Sequence, residues 1–357
     1  MRVGLILPGP VDTPLPSTRV ALLNIGPRLL AAGIETIVLH QPPIAIEKPV
    51  LGLDADAIVA AGIQVVIFQK VHGPSTQALA SKLALCGVRT VFMVCDHVDV
   101  DMATACSATV CATEYLASLY PKSLTAKLHV VHDGIERSEV EKTEWRADRG
   151  SIRRPLRAIL VTSFRLNHLP LLRSPPPWLR VDIVGRYPRD RDWIGRAREH
   201  WRSWHESQST RREQLRLALH PRIRLHAWTL ETVYQLLPQA DIGIIPVDRD
   251  VPIADGSPPP DWSVKSENRL TLKMAVGLPV IATPIPSYRP VVRHGENAFL
   301  AETEDDWFRI LQDLRSPELR SKVGLAARQS VISKFSLERQ AERLIAVLRA
   351  LVAQHRP

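Results

Sequence analysis

The chain has 357 residues, of which 45% are hydrophobic and 23% charged, a composition typical of a globular protein with room for two domains. Its formal net charge of +9 favours an anionic partner, and nucleotide diphosphates, anionic lipids and nucleic acids all qualify. The apolar run within residues 1–8 is too short for a signal peptide, and no run reaches the roughly 18 residues of a spanning helix, so we expect a cytoplasmic protein.

The four cysteines all lie in the first half and show no Cys-x-x-Cys spacing. No His–Glu pair has the spacing of a zinc protease either. We therefore predict buried free thiols, and a metal or disulfide role is the alternative. The cysteines are Cys86, Cys95, Cys106 and Cys111.

The first half alternates short apolar runs with helical stretches. Val3–Leu7 is a predicted strand, and Ser17 or Thr18 can cap a helix that runs to Leu30. The next strand is Glu35–Leu39. This order predicts a parallel, doubly wound sheet, whose ligands bind at the carboxyl ends of the strands.

Two further apolar strands bring polar side chains to that edge. Val65–Phe68 is followed by Lys70 and His72, and the next strand is followed by Asp96 and His97. A carboxylate or imidazole at this edge can accept a proton from a substrate hydroxyl. The alternative is a helix-capping aspartate beside a solvated histidine.

After the charged and aperiodic stretch Glu139–Arg154, a second series of strands is predicted, beginning with Ala158–Thr162. Polar or backbone-accessible positions again follow the strand ends. They are Arg165, Gly185, Trp228 and Thr229.

An arginine-rich helical run lies between residues 190 and 220 and contains Trp193, Trp201 and Trp204. Such a stripe can rest on the anionic inner face of a membrane or on nucleic acid. The alternative is the core-facing edge of a solvated cationic helix.

The stretch Lys265–Thr283 is predicted to hold a loop, a helix, a tight turn and a buried strand. Its apolar spacing indicates a helix that Gly277 ends in the left-handed conformation, followed by the strand Val280–Ala282. A helix entered from a polar loop points unpaired N–H groups at that loop, which suits a phosphate. Lys265 and Arg269 add full positive charges.

This stretch resembles the GT-B glycosyltransferases, specifically the large retaining family that uses nucleotide-sugar donors. Met274–Thr283 is similar to the second half of the family's Glu-x7-Glu motif region, Ala-Met-Ala-x-Gly-x-Pro-Val-Ile-Ala-Thr. The two glutamate positions hold Val264 and Leu272 instead. Tyr288–Leu300 resembles the family's next segment, Glu-x-Val-x-x-Gly-x-Asn-Gly-x-Leu.

The chain looks more like a subgroup with Lys-x-x-Asn-Lys/Arg before this helix, which Lys265, Asn268 and Arg269 fit. In the family the second glutamate holds the ribose of the donor. Glu267 is a candidate substitute for it.

The resemblance implies an α/β fold of the GT-B type, in which two Rossmann-like doubly wound domains face each other across a cleft. It implies an acceptor-side domain at residues 1–145 and a nucleotide-sugar domain at residues 146–335. Residues 336–357 would form a helix that crosses back to the first domain.

The implied reaction transfers a sugar from a nucleotide-diphosphate sugar to an acceptor with retention of configuration. The resemblance implies no cofactor and no obligate metal, because cationic side chains and a helix terminus neutralise the leaving diphosphate. Two other functions remain open: a transferase acting on DNA or another polyanion, and a catalytically degenerate protein that binds nucleotides.

The resemblance also implies roles for individual residues, with surface charge as the alternative for Arg165 and Lys265 and an exposed helix arginine as the alternative for Arg19. The implied catalytic residues are Asp96, His97, Arg165 and Lys265. The implied donor-binding residues are Arg165, Gly185, Trp228, Thr229, Lys265, Ser266, Glu267, Asn268 and Arg269. The implied acceptor-side residues are Arg19, Lys70 and His72.

Overall fold

The computed structural model describes residues 1–162, 170–185, 219–249 and 257–353, together with 212, 216, 252 and 253. The chain forms two compact units. The first unit comprises Met1–Glu136, Ile253–Asn268 and Lys334–Pro357, and the second comprises Arg137–Pro252 and Arg269–Ser333. The segment that ends at Asn268, which the sequence assigned to the second domain, thus groups with the first unit.

The first unit is built on a sheet of six parallel strands in the order β2-β1-β3-β4-β5-β6. Its central strands are mostly apolar because both faces of a parallel sheet are covered. The strands are β1 (Arg2–Ile6), β2 (Glu35–His40), β3 (Val65–Gln69), β4 (Arg89–Val94), β5 (Ala108–Cys111) and β6 (Leu128–Val130).

Short helices connect these strands. They are α1 (Pro16–Ala21), α2 (Gly26–Ala31), α3 (Ala55–Ala60), α4 (Pro74–Leu85), α5 (Val100–Ala105) and α6 (Glu114–Ser118).

The single helix predicted from Ser17 or Thr18 to Leu30 is wrong in detail. A 3₁₀ turn separates α1 from α2, because Pro27 lacks the N–H that a continuous helix needs. Neither predicted residue caps the helix, which starts at Pro16. The Thr18 hydroxyl instead donates to Gln69 Oε1 at 2.7 Å, inside the unit.

All four cysteines are free, but the prediction of burial holds fully for only two of them. Cys106 and Cys111 are buried, Cys95 is half-buried and Cys86 is exposed. Cys86 is the C-cap residue of α4.

The helix Leu337–Ala353 completes the core of the first unit. Its buried residues Ala341, Leu344 and Leu348 belong to the same apolar cluster as β1 and the α1–α2 region. Gln340 fastens it further, because its Nε2 donates to Val20 O at 2.9 Å and its Oε1 accepts from Gly134 N at 3.0 Å.

The second unit has its own sheet of six parallel strands, in the order β12-β11-β10-β7-β8-β9. The strands are β7 (Leu156–Val161), β8 (Leu179–Gly185), β9 (Ile223–Ala227), β10 (Ile242–Ile245), β11 (Val280–Ala282) and β12 (Phe299–Leu300). The helices are α7 (Pro170–Arg173), α8 (Leu230–Leu236), α9 (Asn268–Val276), α10 (Glu304–Asp313) and α11 (Pro317–Val331).

The predicted helix, turn and strand of the central stretch are confirmed. Helix α9 ends at Val276, Gly277 has φ +91°, and β11 follows at Val280. The helix begins at Asn268, which is the last residue of the segment that groups with the first unit.

Arg165, Trp193, Trp201 and Trp204 lie outside the described residues. In the part of the chain that is described, no helix is both long enough and apolar enough to cross a bilayer.

Candidate active site

Lys70 follows the end of β3 in an unusual backbone conformation. Its φ is +57°, the only positive value among the described non-glycine residues. A left-handed backbone costs a non-glycine residue about 1–2 kcal/mol. The conformation is held because Lys70 N donates to Met93 O at 2.8 Å and Lys70 Nζ lies 2.6 Å from Glu47 Oε1 and 2.9 Å from Asp96 Oδ1.

Asp96, at the end of β4, lies between two ammonium groups. Lys70 is in direct contact, and Lys265 Nζ is 4.0 Å from Asp96 Oδ2. Burial by itself raises the pKa of Asp96, but His97 and the two ammonium groups outweigh it and hold that pKa well below its ordinary value. Asp96 therefore stays ionised and positions the neighbouring cations. It is a weak proton acceptor at neutral pH.

The helix-capping role that was the alternative for Asp96 belongs to Asp99. Asp99 Oδ1 accepts from Met102 N at 2.8 Å at the start of α5. Its other oxygen, Oδ2, lies 2.6 Å from His72 Nδ1. Asp99 thus fixes the orientation of the His72 ring.

His97 lies at the same edge, beside His72 and Asp96. Its ring centroid lies 4.6 Å from that of His72, and its Nδ1 lies 3.5 Å from Asp96 Oδ1. Its Nε2 is buried and has no hydrogen-bond partner within the described part of the chain. A proton on Nδ1, facing the carboxylate, leaves a lone pair on Nε2 for a substrate hydroxyl.

The segment before α9 meets the end of β6. Glu267 Oε1 lies 2.6 Å from His132 Nδ1, and Ser266 Oγ donates to Asp133 Oδ2 at 3.1 Å. The outer nitrogen of the His132 ring faces Glu114 Oε1 at 3.0 Å. Together with Lys265, these contacts place the whole Lys265–Glu267 segment at the carboxyl edge of the first sheet.

These contacts shift two ionisation equilibria. Burial lowers the pKa of His132, but the two glutamates outweigh this and raise it overall. Burial, and next the charge of Glu267, raise the pKa of Asp133 to about 7. Below we call Lys70, Asp96, His97, His132 and Asp133, with Lys265–Glu267, the strand-end cluster.

The sequence prediction missed His132 and Asp133, although their partners Glu267 and Ser266 were predicted site residues. The available signal was the polar His-Asp-Gly ending of an otherwise apolar strand. Pairing across more than 130 residues leaves no trace in local periodicity.

Glu267 was predicted to substitute for the ribose-binding glutamate. It is 2% exposed, with Oε1 against His132 and with Oε2 buried and unpaired among the described residues. The structure gives Glu267 a partner in the first unit, and its contact with a ribose stays a prediction.

Arg19 was predicted to face the acceptor. Its Nε and Nη2 donate to the two carboxylate oxygens of Glu136 at 2.6 and 3.1 Å, and Asn24 Nδ2 adds a third bond to Glu136 at 2.8 Å. This paired geometry anchors the guanidinium within the first unit. Its acceptor-side role also stays a prediction.

Three predicted donor-side positions, Gly185, Trp228 and Thr229, lie at strand ends on the carboxyl edge of the second sheet. Gly185 ends β8, and its carbonyl accepts from Trp228 N at 2.7 Å. Thr229 caps α8 by accepting from Thr232 N at 2.9 Å. Trp228 is 39% exposed, and its contact with a donor base stays a prediction. Asn268 and Arg269 form the first turn of α9, and both are half-buried.

No group of three or more His, Cys, Asp and Glu side chains that could hold a metal ion is found in the described ranges.

Comparisons with known proteins identify the fold. HepE of Anabaena, solved in complex with UDP and glucose, is 12% identical with a TM-score of 0.64, covering 98% of this chain and 99% of that chain. Sucrose-phosphate synthase of Thermosynechococcus elongatus is 13% identical with a TM-score of 0.68, covering 99% of both chains. The catalytic domain of starch synthase IV of Arabidopsis thaliana, bound to ADP and acarbose, is 10% identical with a TM-score of 0.61, covering 99% of both chains.

No curated protein matches the chain by sequence. Residues 162–315 match the family described as glycosyl transferases group 1. This range lies almost entirely in the second unit and includes the α9–β11 stretch from which the resemblance was first inferred. The resemblance is thereby confirmed: residues 162–315 match the model of the glycosyl transferases group 1 family, and the chain has the GT-B fold.

Proposed function

We propose that the chain is a glycosyltransferase that moves a sugar from a nucleotide-diphosphate donor to an acceptor hydroxyl, with retention and without an obligate metal. The observation that carries this proposal is the position of Lys265. It lies 4.0 Å from Asp96 in the strand-end cluster, three residues before the start of α9. A cation and a helix N-terminus together suit the leaving diphosphate.

The chemical step breaks the bond between the anomeric carbon and the diphosphate oxygen and forms a bond to the acceptor oxygen. Negative charge grows on the diphosphate as the bond breaks. Lys265, the N-terminus of α9 and Arg165 supply the matching positive charge. Fixed charges of this kind accelerate a reaction because they need no reorganisation when charge develops.

The acceptor proton is assigned to His97. Its Nε2 is the buried, unpaired nitrogen of the strand-end cluster, and Asp96 holds the opposite side of the ring. Lys70 and Asp96 act as positioning residues, since each is already engaged in an ion pair.

The test is a thermal-shift and turnover panel of UDP, ADP, GDP and dTDP with their common sugars, with and without chelator. UDP and ADP come first, because structures of similar fold hold them. We expect one base to stabilise the protein selectively whether or not chelator is present. A ligand at about 100 times its dissociation constant adds roughly 2.7 kcal/mol of stability.

Loss of the stabilisation on adding chelator would contradict metal independence. Product analysis by NMR checks retention, and a product of inverted anomeric configuration would contradict it.

A second function, nucleotide binding without catalysis, is favoured by one observation. Leu272 occupies the position of the ribose-binding glutamate. Selective stabilisation without turnover over the whole panel of acceptors would favour it over the transferase.

A further inference from the structure

A second group of cations lies at the opposite edge of the second sheet, where β7 and β10 begin. A cavity of about 360 Å³ opens there. This volume falls in the range of small-molecule pockets, about 300–1,000 Å³. Its lining includes Lys142, Arg146, Arg149, Arg157, Gln239 and Asp241, and we call it the amino-edge pocket.

The floor of the amino-edge pocket is fixed by Asp241, which is fully buried. Its Oδ2 accepts from Arg149 Nη1 at 2.8 Å and from Arg157 N at 2.9 Å. The Arg157 guanidinium is neutralised from outside the pocket by Asp182, at 3.0 Å. The charges of Asp241, Arg149 and Arg157 are therefore neutralised within the protein, without a ligand.

One wall is an irregular segment that the second unit holds in place. Lys142 N donates to Val276 O at 2.7 Å. Buried Arg320 donates from Nη2 to Arg146 O at 2.8 Å and from Nη1 to Leu314 O at 2.7 Å. The backbone that carries Lys142 and Arg146 is thus fastened in place.

Two cations of the lining form no ion pair with any carboxylate that the structure describes. Lys142 is 4% exposed, and its Nζ donates to Pro238 O at 3.1 Å. Within the described residues it forms no ion pair, and neither does the exposed guanidinium of Arg146. Glu144 is the remaining acidic side chain of the lining, since Glu141 lies 3.4 Å from Arg328. The pocket is left with an excess of positive charge.

The pocket also offers acceptors for hydroxyl groups. Asp241 Oδ1 is buried and has no hydrogen-bond partner among residues that the structure describes. An unpaired buried carboxylate oxygen is costly, and a donor group on a ligand would satisfy it. The Gln239 side chain lies in the same lining.

We propose that the amino-edge pocket binds a small phosphorylated polyol, with the phosphate against Lys142 and Arg146 and the hydroxyls toward Asp241 and Gln239. A hexose monophosphate has this chemistry and fits the volume. None of these residues belongs to the strand-end cluster or to the predicted donor positions, so this site is separate from the proposed transfer reaction.

The test is calorimetric titration of the whole protein with glucose 6-phosphate, inorganic phosphate and glucose. We expect glucose 6-phosphate to bind more tightly than phosphate, and glucose not to bind. Arg146→Ala should weaken glucose 6-phosphate binding about tenfold, because a charge-assisted hydrogen bond is lost. Arg146 is exposed, so the variant is expected to fold.

Two matched variants locate the site. Arg153→Ala removes an exposed arginine outside the lining and should bind glucose 6-phosphate as the parent does. Lys265→Ala should also retain binding, which separates this pocket from the strand-end cluster. No binding to the parent, or unchanged binding to Arg146→Ala, would overturn the proposal.

The pH dependence gives an independent check. Burial, and then the charges of Arg149, Arg320 and Arg146, outweigh the opposing charge of Asp241 and lower the pKa of Lys142 to about 8. Since the ligand needs the charged ammonium, affinity should fall as pH rises from 7 to 9. Lys142→Arg keeps its charge over this range and should flatten the dependence, whereas an unchanged pH profile would assign the phosphate to another group.

Discussion

The strand-end cluster of the first unit and the amino-edge pocket of the second unit differ in whether their charged side chains form ion pairs. In the cluster, Lys70 and Lys265 both face Asp96, and His132 faces Glu267. In the pocket, Lys142 and Arg146 form no ion pair with any described carboxylate. The ion pairs of the cluster therefore hold its geometry without a ligand, whereas the excess positive charge of the pocket is neutralised when the proposed anionic ligand binds.

This difference predicts where a mutation will act. Removing a charge from the cluster should affect turnover more than folding where the side chain is partly exposed. Removing the buried anion beneath the pocket should affect folding. Three experiments test this contrast, in order of expected effect.

The largest expected effect is on stability, from Asp241→Ala. The change leaves the half-buried Arg149 guanidinium and Arg157 N without their acceptor. Breaking a buried pair in this way costs about 3–5 kcal/mol. Urea denaturation should show the loss, and Asp241→Asn should recover part of it because an acceptor oxygen remains. Wild-type stability for both variants would contradict the fixed floor of the pocket.

Lys265→Ala should reduce turnover by about 10²–10³-fold, the effect of removing one fixed transition-state donor. Its melting temperature should stay close to that of the parent, because the side chain is 20% exposed and 4.0 Å from Asp96. Initial-rate measurements with the donor that the thermal-shift panel selects provide the test. The control is Lys322→Ala, an exposed lysine of α11. Equal turnover in Lys265→Ala and the control would remove Lys265 from the site.

The smallest expected effect is a fall in stability between pH 6 and pH 8. The pKa of Asp133 is raised to about 7 in the folded chain, and that of His132 is raised above its ordinary value. A group whose pKa is higher in the folded chain than in the unfolded chain stabilises the fold at a pH below its unfolded pKa. This stabilisation is lost as the pH rises through the folded pKa. Asp133 alone should account for about 1.4 kcal/mol over this range.

Melting temperatures measured at pH 6, 7 and 8 test this prediction. Asp133→Asn should reduce the slope, since an amide does not titrate. Asp12→Asn, an exposed aspartate of the first unit, should leave the slope unchanged. A slope in Asp133→Asn equal to that of the parent would show that other groups cause the pH dependence.

Features set by short-range physics could be predicted from the sequence. The apolar run Val65–Phe68 is a central strand, and Gly277 ends α9 with positive φ. Parallel strands end at a common edge, so the placement of Lys70, Asp96 and His97 near each other followed from their positions after β3 and β4.

Features set by long-range pairing could not be predicted. The contacts of Ser266 and Glu267 with Asp133 and His132 join residues that the sequence placed in different domains. The amino-edge pocket was hidden in a charged stretch without periodicity, because neither Lys142 nor Arg146 lies in a helix or strand. The ion pair of Arg19 could not be predicted either, because its partner, Glu136, lies 117 residues away.

The first unit is discontinuous in the chain, and this has a consequence for its synthesis. Its apolar core includes Leu344 and Leu348, which a ribosome adds only after the whole second unit has been made. Part of the apolar surface of the first β-strands therefore stays exposed until Leu337–Ala353 emerges from the exit tunnel. The second unit, whose residues are complete by Ser333, is free to fold earlier, so the part of the protein made first is the last to reach its final form.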